Sequence, residues 1–441
     1  APYIFASTVK MISRTAKLVF SITVLVGLVF AIWITFNGNL GRYYSPKLLN
    51  ILQPDPYEEV TYKANLARYS PKPLDREPPD PFEEEVRSAN VNLFEASLKR
   101  HFKRKDKRLI SELPVAWTYQ SYNVTSNLTC WSESKFAPTF EENKKIVQQY
   151  PNGTSVPYLA DFGLLQPYKS MAVPKLPVFV TGASSNHYLE SQAMLRDFHN
   201  KILAKYNDAK LIYYDIGLTE TERNQVQRYC RCEVRIFPFN KYPVHVRQMT
   251  GYTWKVLIIQ AVLNEFGYAF WLDASMRFIN MNLFAELQIK VENYGIASWD
   301  FGYSLAVTID PDTYHFLKED PCLFVNKPSC GTGGILVKRS NFTLEYIMRP
   351  WVSCALTFGC MVNNRSQQML KCPAHNPKDW TLGACQRYEQ AVLSIILWRL
   401  YGRYDVVMFP KGLVEAWRGD QFQYFRMLEQ RDTSKTNGTK S

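Results

Sequence analysis

From residue 176 onward, the chain alternates between short apolar runs and longer stretches with apolar residues at helical spacing. The runs at 177–181 and 211–214 are typical of buried parallel strands, and two more follow at 233–237 and 269–272. A helix is predicted over 187–206, where apolar residues recur every three or four positions. Strands and helices that alternate with short connections predict an α/β fold with a mostly parallel sheet flanked by helices.

Further elements continue this pattern along the chain. Thr219 and Glu222 stand at the offset of a capping box, which predicts the start of a helix that runs to Cys230. Two other helices are predicted from their apolar residues, over 254–266 and 385–400. Later strands are expected at 295–298, 303–308, 334–337 and 405–408.

Residues 18–36 form an apolar run of 19 residues without a charged side chain. At about 1.5 Å per residue, a helix of this length nearly spans the ~30 Å hydrocarbon core of a bilayer. Lys10, Arg14 and Lys17 precede the run, so the positive-inside rule favours a cytoplasmic tail at 1–17 and a luminal remainder, the type II arrangement. A cleaved signal peptide is the alternative, but the run is longer than the usual apolar region of such peptides.

The segment after this apolar run has a different composition. Residues 37–170 are predicted to be a stem and transition region, because prolines cluster in its first part and blocks of acidic and basic residues follow. The luminal domain is expected over 171–430. The polar tail at 431–441 is expected to be disordered.

The nine cysteines and the glycosylation sequons all lie C-terminal to the apolar run. This distribution indicates an oxidising secretory lumen, where disulfides form and asparagines in N-x-S/T sequons are modified. An odd number of cysteines leaves at least one thiol free or paired between chains. Cys230 and Cys232 are expected to be too close to pair with each other. No second short-spaced pair of His or Cys residues accompanies them, so a zinc site is not expected. The predicted glycosylation sites are Asn123, Asn127, Asn152, Asn341 and Asn364, and a sixth sequon lies at Asn437.

Composition and charge exclude several classes of protein. With 46% hydrophobic and 21% charged residues, the chain is globular rather than disordered, collagen-like or a coiled coil. The net charge is 52 − 40 = +12, but residues 99–108 hold seven basic residues and one Asp and so contribute +6. Positive charge concentrated in a luminal stem argues against nucleic acid as a partner.

The candidate chemistry lies where apolar strands end in polar residues. Ligands of open α/β sheets bind beyond the carboxyl ends of the strands, which selects Thr181, Asp215 and Asp273. The run FWLDAS is a hydrophobic strand that delivers Asp273 into a short turn. Nucleotide-sugar transferases of the GT-A type present their D-x-D motif in this way, and its carboxylates hold a divalent cation, Mn²⁺ or Mg²⁺, against the diphosphate. Here Ser275 stands in place of the second acid, so a cation is expected to be held more weakly.

Three other features could act at the same edge of the sheet. Lys255 opens the helix before the FWLDAS strand and can reach a phosphate from there. Gly333 and Gly334 let backbone approach a ligand closely. Arg387 and Glu389 begin the late helix, and Glu389 is a candidate acceptor base or substrate-positioning acid. The chain has no G-x-G-x-x-G after its first strand, no P-loop and no G-x-S-x-G, which argues against a dinucleotide-binding site and a serine hydrolase.

Five runs in order resemble a known family: FVTGASSNHYLES, LIYYDIGL, YTWKVLIIQAVLNEFGYAFWLDASMRF, CGTGGILVKRS and CQRYEQAVLSIIL. The family is the nematode-expanded domain of unknown function 1647, which is similar to GT-A glycosyltransferases and is found on type II secretory proteins. The resemblance covers roughly 175–410. It implies a GT-A-like, Rossmann-like luminal domain in the Golgi or another secretory-pathway membrane, with a nucleotide-sugar donor and a glycan or glycoprotein acceptor.

The resemblance also implies roles for single residues. Those on the donor side are Thr181, Ala183 and Asp215 at the nucleotide, Lys255 at the diphosphate, and Asp273 with Ser275 at the metal and donor sugar. Those on the acceptor side are Gly333, Gly334, Arg387 and Glu389.

Two functions follow from these features. The first is a type II membrane glycosyltransferase in which Lys255 and a metal at Asp273 stabilise the leaving diphosphate and Glu389 takes the acceptor proton. A retaining reaction would need no base at that position, and the sequence does not choose between the two stereochemistries. The second is a non-catalytic GT-A-like protein, a membrane-tethered glycan-binding or chaperone partner, which the single carboxylate at Asp273 favours.

Overall fold

The structure is a computed structural model, and the residues it describes are 116–120, 125–129, 135–151, 153–325, 327–364, 372–373, 381–403 and 405–438. They belong to the second of two units into which the chain divides, Pro78–Ser441. The predicted tail at 1–17, the apolar run at 18–36 and most of the stem lie outside the described residues. Within the described part of the chain, no helix is long and apolar enough to cross a membrane.

The described strands and helices follow each other along the chain. The strands are β1 (Ala116–Gln120), β2 (Thr125–Thr129), β3 (Val178–Ala183), β4 (Leu211–Asp215), β5 (Glu233–Ile236), β6 (Tyr268–Leu272), β7 (Met276–Phe278), β8 (Ile296–Ser304), β9 (Pro328–Lys338) and β10 (Val414–Ala416). The helices are α1 (Phe140–Gln148), α2 (Val156–Leu159), α3 (Tyr188–Asp197), α4 (Glu220–Tyr229), α5 (Thr253–Phe266), α6 (Phe284–Tyr294), α7 (Leu305–Thr308), α8 (Pro311–Leu317), α9 (Arg349–Leu356), α10 (Tyr388–Tyr401) and α11 (Tyr424–Gly438).

Six strands form the central sheet in the order β5-β4-β3-β6-β9-β8. The pairs β5–β4, β4–β3 and β3–β6 are parallel, whereas β9 runs antiparallel to both of its neighbours. Two small antiparallel pairs, β1–β2 and β7–β10, complete the described strands. The predicted α/β fold with a mostly parallel sheet is therefore confirmed.

The sheet separates two hydrophobic layers. On one face, Val180 and Ile212 pack among residues of α5, α9 and α10. On the other face, Phe179 and Tyr213 pack among residues of α3, α4 and α6. Successive strand residues point to opposite faces, so β3, which is buried at every position, needs cover on both sides. This two-sided burial explains why the strands appear in the sequence as continuous apolar runs.

Local signals in the sequence place the elements around the site. Thr219 and Glu222 form the predicted capping box at the start of α4. The helix α5 ends at Gly267, whose φ of +77° is the left-handed conformation that glycine adopts without steric cost. β6 starts at the next residue, so this tight connection aligns α5 with the strand that leads to Asp273.

Two predicted strands have a different structure. β8 ends at Ser304, whose side chain accepts a hydrogen bond from the N–H of Ala306, and residues 305–308 form the short helix α7. Asp405–Val407 form a 3₁₀ turn, and Met408 makes only an isolated bridge to Ser298. Apolar runs of about four residues do not by themselves distinguish a strand from a buried helix.

The folded domain extends beyond both predicted boundaries. α1 lies before residue 171, yet Phe140 and Val147 belong to the same hydrophobic cluster as Val180 of β3. At the other end, α11 runs to Gly438, although disorder was predicted from residue 431. Tyr424 and Phe425 anchor this helix on the core, and it continues from there into polar sequence.

The disulfides correct one prediction and confirm another. Cys230 and Cys232 are bonded to each other, contrary to the expectation that they stand too close. Arg231 between them has a φ of +48°, a left-handed turn that brings the two cysteines together. Among the described cysteines Cys330 is free and buried, as an odd cysteine count requires. The other described pairs are Cys354–Cys360 and Cys372–Cys385.

Two of the predicted glycosylation sites, Asn341 and Asn364, are exposed. Asn123 and Asn152 lie outside the described residues, and at Asn127 only the backbone of β2 is described. Exposure of the two described asparagines is what an acceptor sequon requires.

Candidate functional site

The order of the strands defines a switch point at the centre of the sheet. The chain runs outward from β3 through β4 to β5 and then crosses to β6 on the other side of β3. Ligands of open α/β sheets bind in the crevice beyond the carboxyl ends of the strands at such a point. Ala183 ends β3, and Asp273 directly follows β6, so both predicted residues lie at this edge.

Asp273 is held in one orientation by its neighbours. Its Oδ1 accepts a hydrogen bond from the indole N–H of Trp271 at 2.7 Å and lies 3.0 Å from the ammonium of Lys255. Its backbone N–H donates to the carbonyl of Gly333 at 2.7 Å. The Asp273 side chain is 33% exposed. A methyl group added at Gly333 would lie 3.7 Å from Oδ2, so the absence of a side chain there leaves space beside this oxygen.

Lys255 links Asp273 to a second carboxylate below the surface. Its ammonium lies 3.0 Å from Oε1 of Glu389, which also accepts a hydrogen bond from the hydroxyl of Thr332 at 2.7 Å. The side chains of Lys255 and Glu389 are 3% and 5% exposed. The cluster joins α5, β9 and α10 behind the turn at Asp273. The structure thus brings Lys255, Asp273 and Glu389 together in one cluster and leaves only the aspartate of the three partly exposed.

The charges of this cluster stabilise each other. Burial alone would lower the pKa of the Lys255 ammonium, but the charges of Asp273 and Glu389 and their hydrogen bonds outweigh it and raise the pKa above its usual value. Lys255 therefore stays protonated at physiological pH. Its ammonium has Asp273, Glu389 and, at 3.5 Å, the carbonyl of Thr332 around it. These contacts make it a positioning residue for Asp273.

Two tyrosines at the cluster have left-handed backbones. Tyr252 precedes α5 with a φ of +50°, and Tyr388 is the first residue of α10 with a φ of +40°. Their rings lie 6.3 Å apart, and the Tyr252 ring centroid lies 5.2 Å from the Lys255 ammonium. Such backbone conformations cost about 1–3 kcal/mol for residues other than glycine and tend to occur at functional sites. No sequence signal marks a left-handed tyrosine, so sequence analysis missed both.

A C-terminal loop completes the rim of the site. The backbone N–H of Trp417 donates to the carbonyl of Ser275 at 2.8 Å, because β10 pairs with β7 directly after the Asp273 turn. Two residues later, the N–H of Gly419 donates to the carboxylate of Glu190. This loop carries Trp417, which is 51% exposed, and Arg418, which is also exposed. Sequence analysis missed the loop because only strand pairing brings it to the site.

Two further basic side chains contact residues outside the Lys255 cluster. The imidazole of His187 is 2.7 Å from the carboxylate of Glu190, and this hydrogen bond, helped by the charges of Glu190 and Asp273, raises the pKa of His187. The guanidinium of Arg387 lies 4.4 Å from the ring centroid of Phe301. Arg387 was predicted on the acceptor side, whereas His187 was not singled out.

Other predicted residues have structural roles. The hydroxyl of Thr181 is buried and donates to the carbonyl of Leu272 at 2.8 Å. The buried carboxylate of Asp215 accepts the N–H groups of Gly217 and Leu218 at 2.8 and 2.7 Å and pairs with Arg223. Both side chains are buried and already bonded within the protein, so each fixes local structure, and their predicted contact with a nucleotide stays a prediction.

Of the remaining predicted positions, Ala183 and Gly334 are packed inside the protein and Ser275 is partly exposed. Ala183 is buried and can offer only backbone. A methyl group at Gly334 would lie 2.6 Å from the ring of Phe409, so this glycine is required for packing. Ser275 is partly exposed on the turn beside Asp273, where a ligand could reach it.

The residues present offer few ligands to a protein-held Mn²⁺ or Mg²⁺ ion. Hard cations take several oxygen ligands, and the predicted pair offers one carboxylate, whose Oδ1 is already shared by Lys255 and Trp271, so Oδ2 of Asp273 and the hydroxyl of Ser275 are the oxygens left for a cation. Glu389 faces the same ammonium from the buried side. Over the described residues, no group of three or more His, Cys, Asp or Glu side chains could hold a metal ion.

Comparisons with known proteins give one family match. A model of the family described as protein of unknown function (DUF1647) matches residues 134–260. The matched segment includes β3, β4, β5 and Lys255, and ends before Asp273. No curated protein matches the sequence.

Several solved structures of glycosyltransferases show a weak similarity to part of this chain. WbbM, a bifunctional glycosyltransferase in apo form, is 10% identical with a TM-score of 0.30, over 56% of this chain and 40% of that chain. Mouse xyloside xylosyltransferase 1 is 13% identical with a TM-score of 0.31, over 53% and 84%. Core-mannan synthase A from Aspergillus fumigatus, in an Mn/GDP form, is 9% identical with a TM-score of 0.29, over 54% and 88%.

Proposed function

We propose that the protein is a type II membrane glycosyltransferase of the Golgi or another secretory-pathway membrane. It moves a sugar from a nucleotide-sugar donor to a hydroxyl group of a glycan or glycoprotein. The observation that carries this proposal is the partly exposed carboxylate of Asp273, held rigidly at the switch point of the sheet with space beside its Oδ2. Exposed sequon asparagines support a luminal location of the domain.

In this proposal Asp273 is the residue that contacts the donor. Its Oδ2 accepts hydrogen bonds from sugar hydroxyls, while Lys255 and Trp271 prevent the carboxylate from turning. Glu389 is 5% exposed and bound to Lys255, so it positions the cluster and does not act as the acceptor base. This changes the role that the sequence suggested for Glu389.

The burial of Glu389 favours a second candidate, a non-catalytic glycan-binding or chaperone protein. Such a protein needs one polar group to orient a sugar and no base to remove a proton. Hydrolysis of a nucleotide sugar distinguishes the two candidates, because a binding protein performs none.

A melting-temperature screen of the full chain in detergent tests the proposal. Nucleoside diphosphates and nucleotide sugars are added with and without Mn²⁺, and hydrolysis of each sugar donor is followed in parallel. A ligand that binds only the folded protein raises its melting temperature. We expect a shift with one nucleotide and slow hydrolysis of its sugar, and we expect Asp273→Asn to abolish the hydrolysis without changing the melting temperature of the free protein. Sugar binding without hydrolysis would support the second candidate.

A further inference from the structure

We propose that Arg387 and Arg418 form a cationic pair that binds the diphosphate of the donor and takes the place of a divalent cation. This inference rests on the proposed function. Asp273 and Ser275 offer few oxygen ligands to a divalent cation, so other positive charges are needed to face the leaving diphosphate.

Arg418 is held at the site by the backbone on both sides of it. Trp417 is bonded to the carbonyl of Ser275 at 2.8 Å, and Gly419 to the carboxylate of Glu190. Asp420 pairs with Arg277 at 3.2 Å. With three anchors in four residues, the exposed Arg418 stays beside the turn that carries Asp273.

Arg387 approaches from the opposite element. It precedes α10, and its backbone N–H donates to the carbonyl of Thr308. Its guanidinium stacks on Phe301, and its Nε is buried without a hydrogen-bond partner. Phe301 packs against Gly331, two residues before the glycine that leaves space beside Asp273 Oδ2, so the stacking on Phe301 places Arg387 at this edge of the site.

In the described part of the chain, neither Arg387 nor Arg418 has an ion-pair partner. Burial lowers the pKa of Arg387, the positive charge of Arg418 adds to this effect, and Glu389 opposes it. A cation in such a position is costly unless an anion pairs with it. A diphosphate supplies charge for both, and the fork of a guanidinium matches phosphate oxygens.

The pair would act on the leaving group during transfer. The bond between the anomeric carbon and the diphosphate oxygen breaks, and its electron pair stays on the nucleoside diphosphate. The acceptor oxygen forms the new bond to the anomeric carbon, and its proton goes to solvent. Charge develops on the diphosphate oxygen, where two fixed cations stabilise it.

Titration calorimetry of the full chain with UDP, GDP and inorganic pyrophosphate, in EDTA or in Mn²⁺, tests the inference. We expect one nucleotide to bind in EDTA with a Kd that Mn²⁺ does not change. Arg418→Gln should weaken this binding by about 10-fold to 100-fold, the usual effect of losing a hydrogen bond to a charged group. Arg426→Gln is the matched control, because Arg426 is exposed on α11 and, among the described residues, its side chain bonds only to Gln423.

Each other outcome has a definite meaning. Binding that requires Mn²⁺ would overturn the inference and leave the proposed function standing, whereas no nucleotide binding in either condition would overturn both. Equal binding by the wild type, Arg418→Gln and Arg387→Lys in EDTA would also overturn the inference. Arg387→Lys keeps the charge and is checked for folding by its melting temperature. Tight binding of a sulfated saccharide in place of a nucleotide would assign the pair to an anionic acceptor and refute the diphosphate assignment.

Discussion

Lys255 and Asp273 form an ion pair of 3.0 Å in which the lysine is buried and the aspartate is partly exposed. The lysine therefore acts as an internal support that fixes the carboxylate from behind. It belongs to the helix that precedes β6, and Asp273 follows that strand, so one helix–strand unit builds the centre of the site.

Lys255→Met should lower the free energy of unfolding by about 3–5 kcal/mol, because it leaves Glu389 buried and without its cation. Urea denaturation measures the change. The matched control is Lys338→Met, since the ion pair of Lys338 with Glu292 lies at the surface and should contribute less than about 1 kcal/mol. Equal effects of the two substitutions would show that the cluster does not have the stabilising role described here.

Gly334→Ala should lower the stability of the fold, whereas Gly333→Ala should lower the affinity for the nucleotide sugar. At Gly334 the added methyl group meets the ring of Phe409 at 2.6 Å, so we expect a loss of about 1–3 kcal/mol in stability. At Gly333 the nearest atom is the flexible thioether sulfur of Met276 at 3.0 Å, and the methyl group narrows the space beside Asp273. The Gly333→Ala variant should bind the nucleotide sugar more weakly than the wild type, while its melting temperature stays nearly constant. Loss of stability at Gly333 with unchanged affinity would contradict this assignment.

Nucleotide affinity should fall as the pH rises through the raised pKa of His187. The hydrogen bond to Glu190 raises this pKa, the charges of Glu190 and Asp273 add to it, and burial and Arg418 oppose it. The pKa of His187 in the folded protein lies above its unfolded value of about 6.5. Protonation of His187 therefore stabilises the folded protein fully below about pH 6.5, and this stabilisation is lost as the pH rises through the folded pKa. Protonated His187 also adds positive charge near Arg418, one member of the cationic pair proposed to bind the diphosphate.

Calorimetry of nucleotide binding between about pH 6 and pH 8.5 measures this dependence. The His187→Gln variant should show a flatter profile, and its affinity at high pH should equal that of the wild type. A wild-type profile with the opposite slope would exclude a role for the His187 charge.

Cys330 should not react with iodoacetamide in the folded protein. The thiol is buried, and burial raises its pKa to about 12, so very little reactive thiolate is present. Peptide mass spectrometry should find Cys330 modified only after guanidinium unfolds the chain with its disulfides intact. Modification under native conditions would mean that the segment around β9 opens readily.

Much of the fold could be predicted because its signals are local. β3, β4, β5 and β6 are runs of apolar residues within a few positions of the predicted bounds, and the capping box of α4 lies within four residues. The prediction failed for short apolar segments such as residues 305–308, where strand and helix look the same. Cys230 and Cys232 were misjudged because their pairing depends on one left-handed residue between them.

The candidate site shows the same division. The sequence by itself determined that Asp273 ends a buried strand, because hydrophobic periodicity and strand ends are properties of neighbouring residues. Only the tertiary structure decided that Lys255 and Glu389 lie behind that carboxylate, and that Trp417 and Arg418 reach it from a strand formed near the C-terminus. Contacts of this kind depend on the order of strands in the sheet and on helix packing, which bring distant residues together without leaving a local pattern.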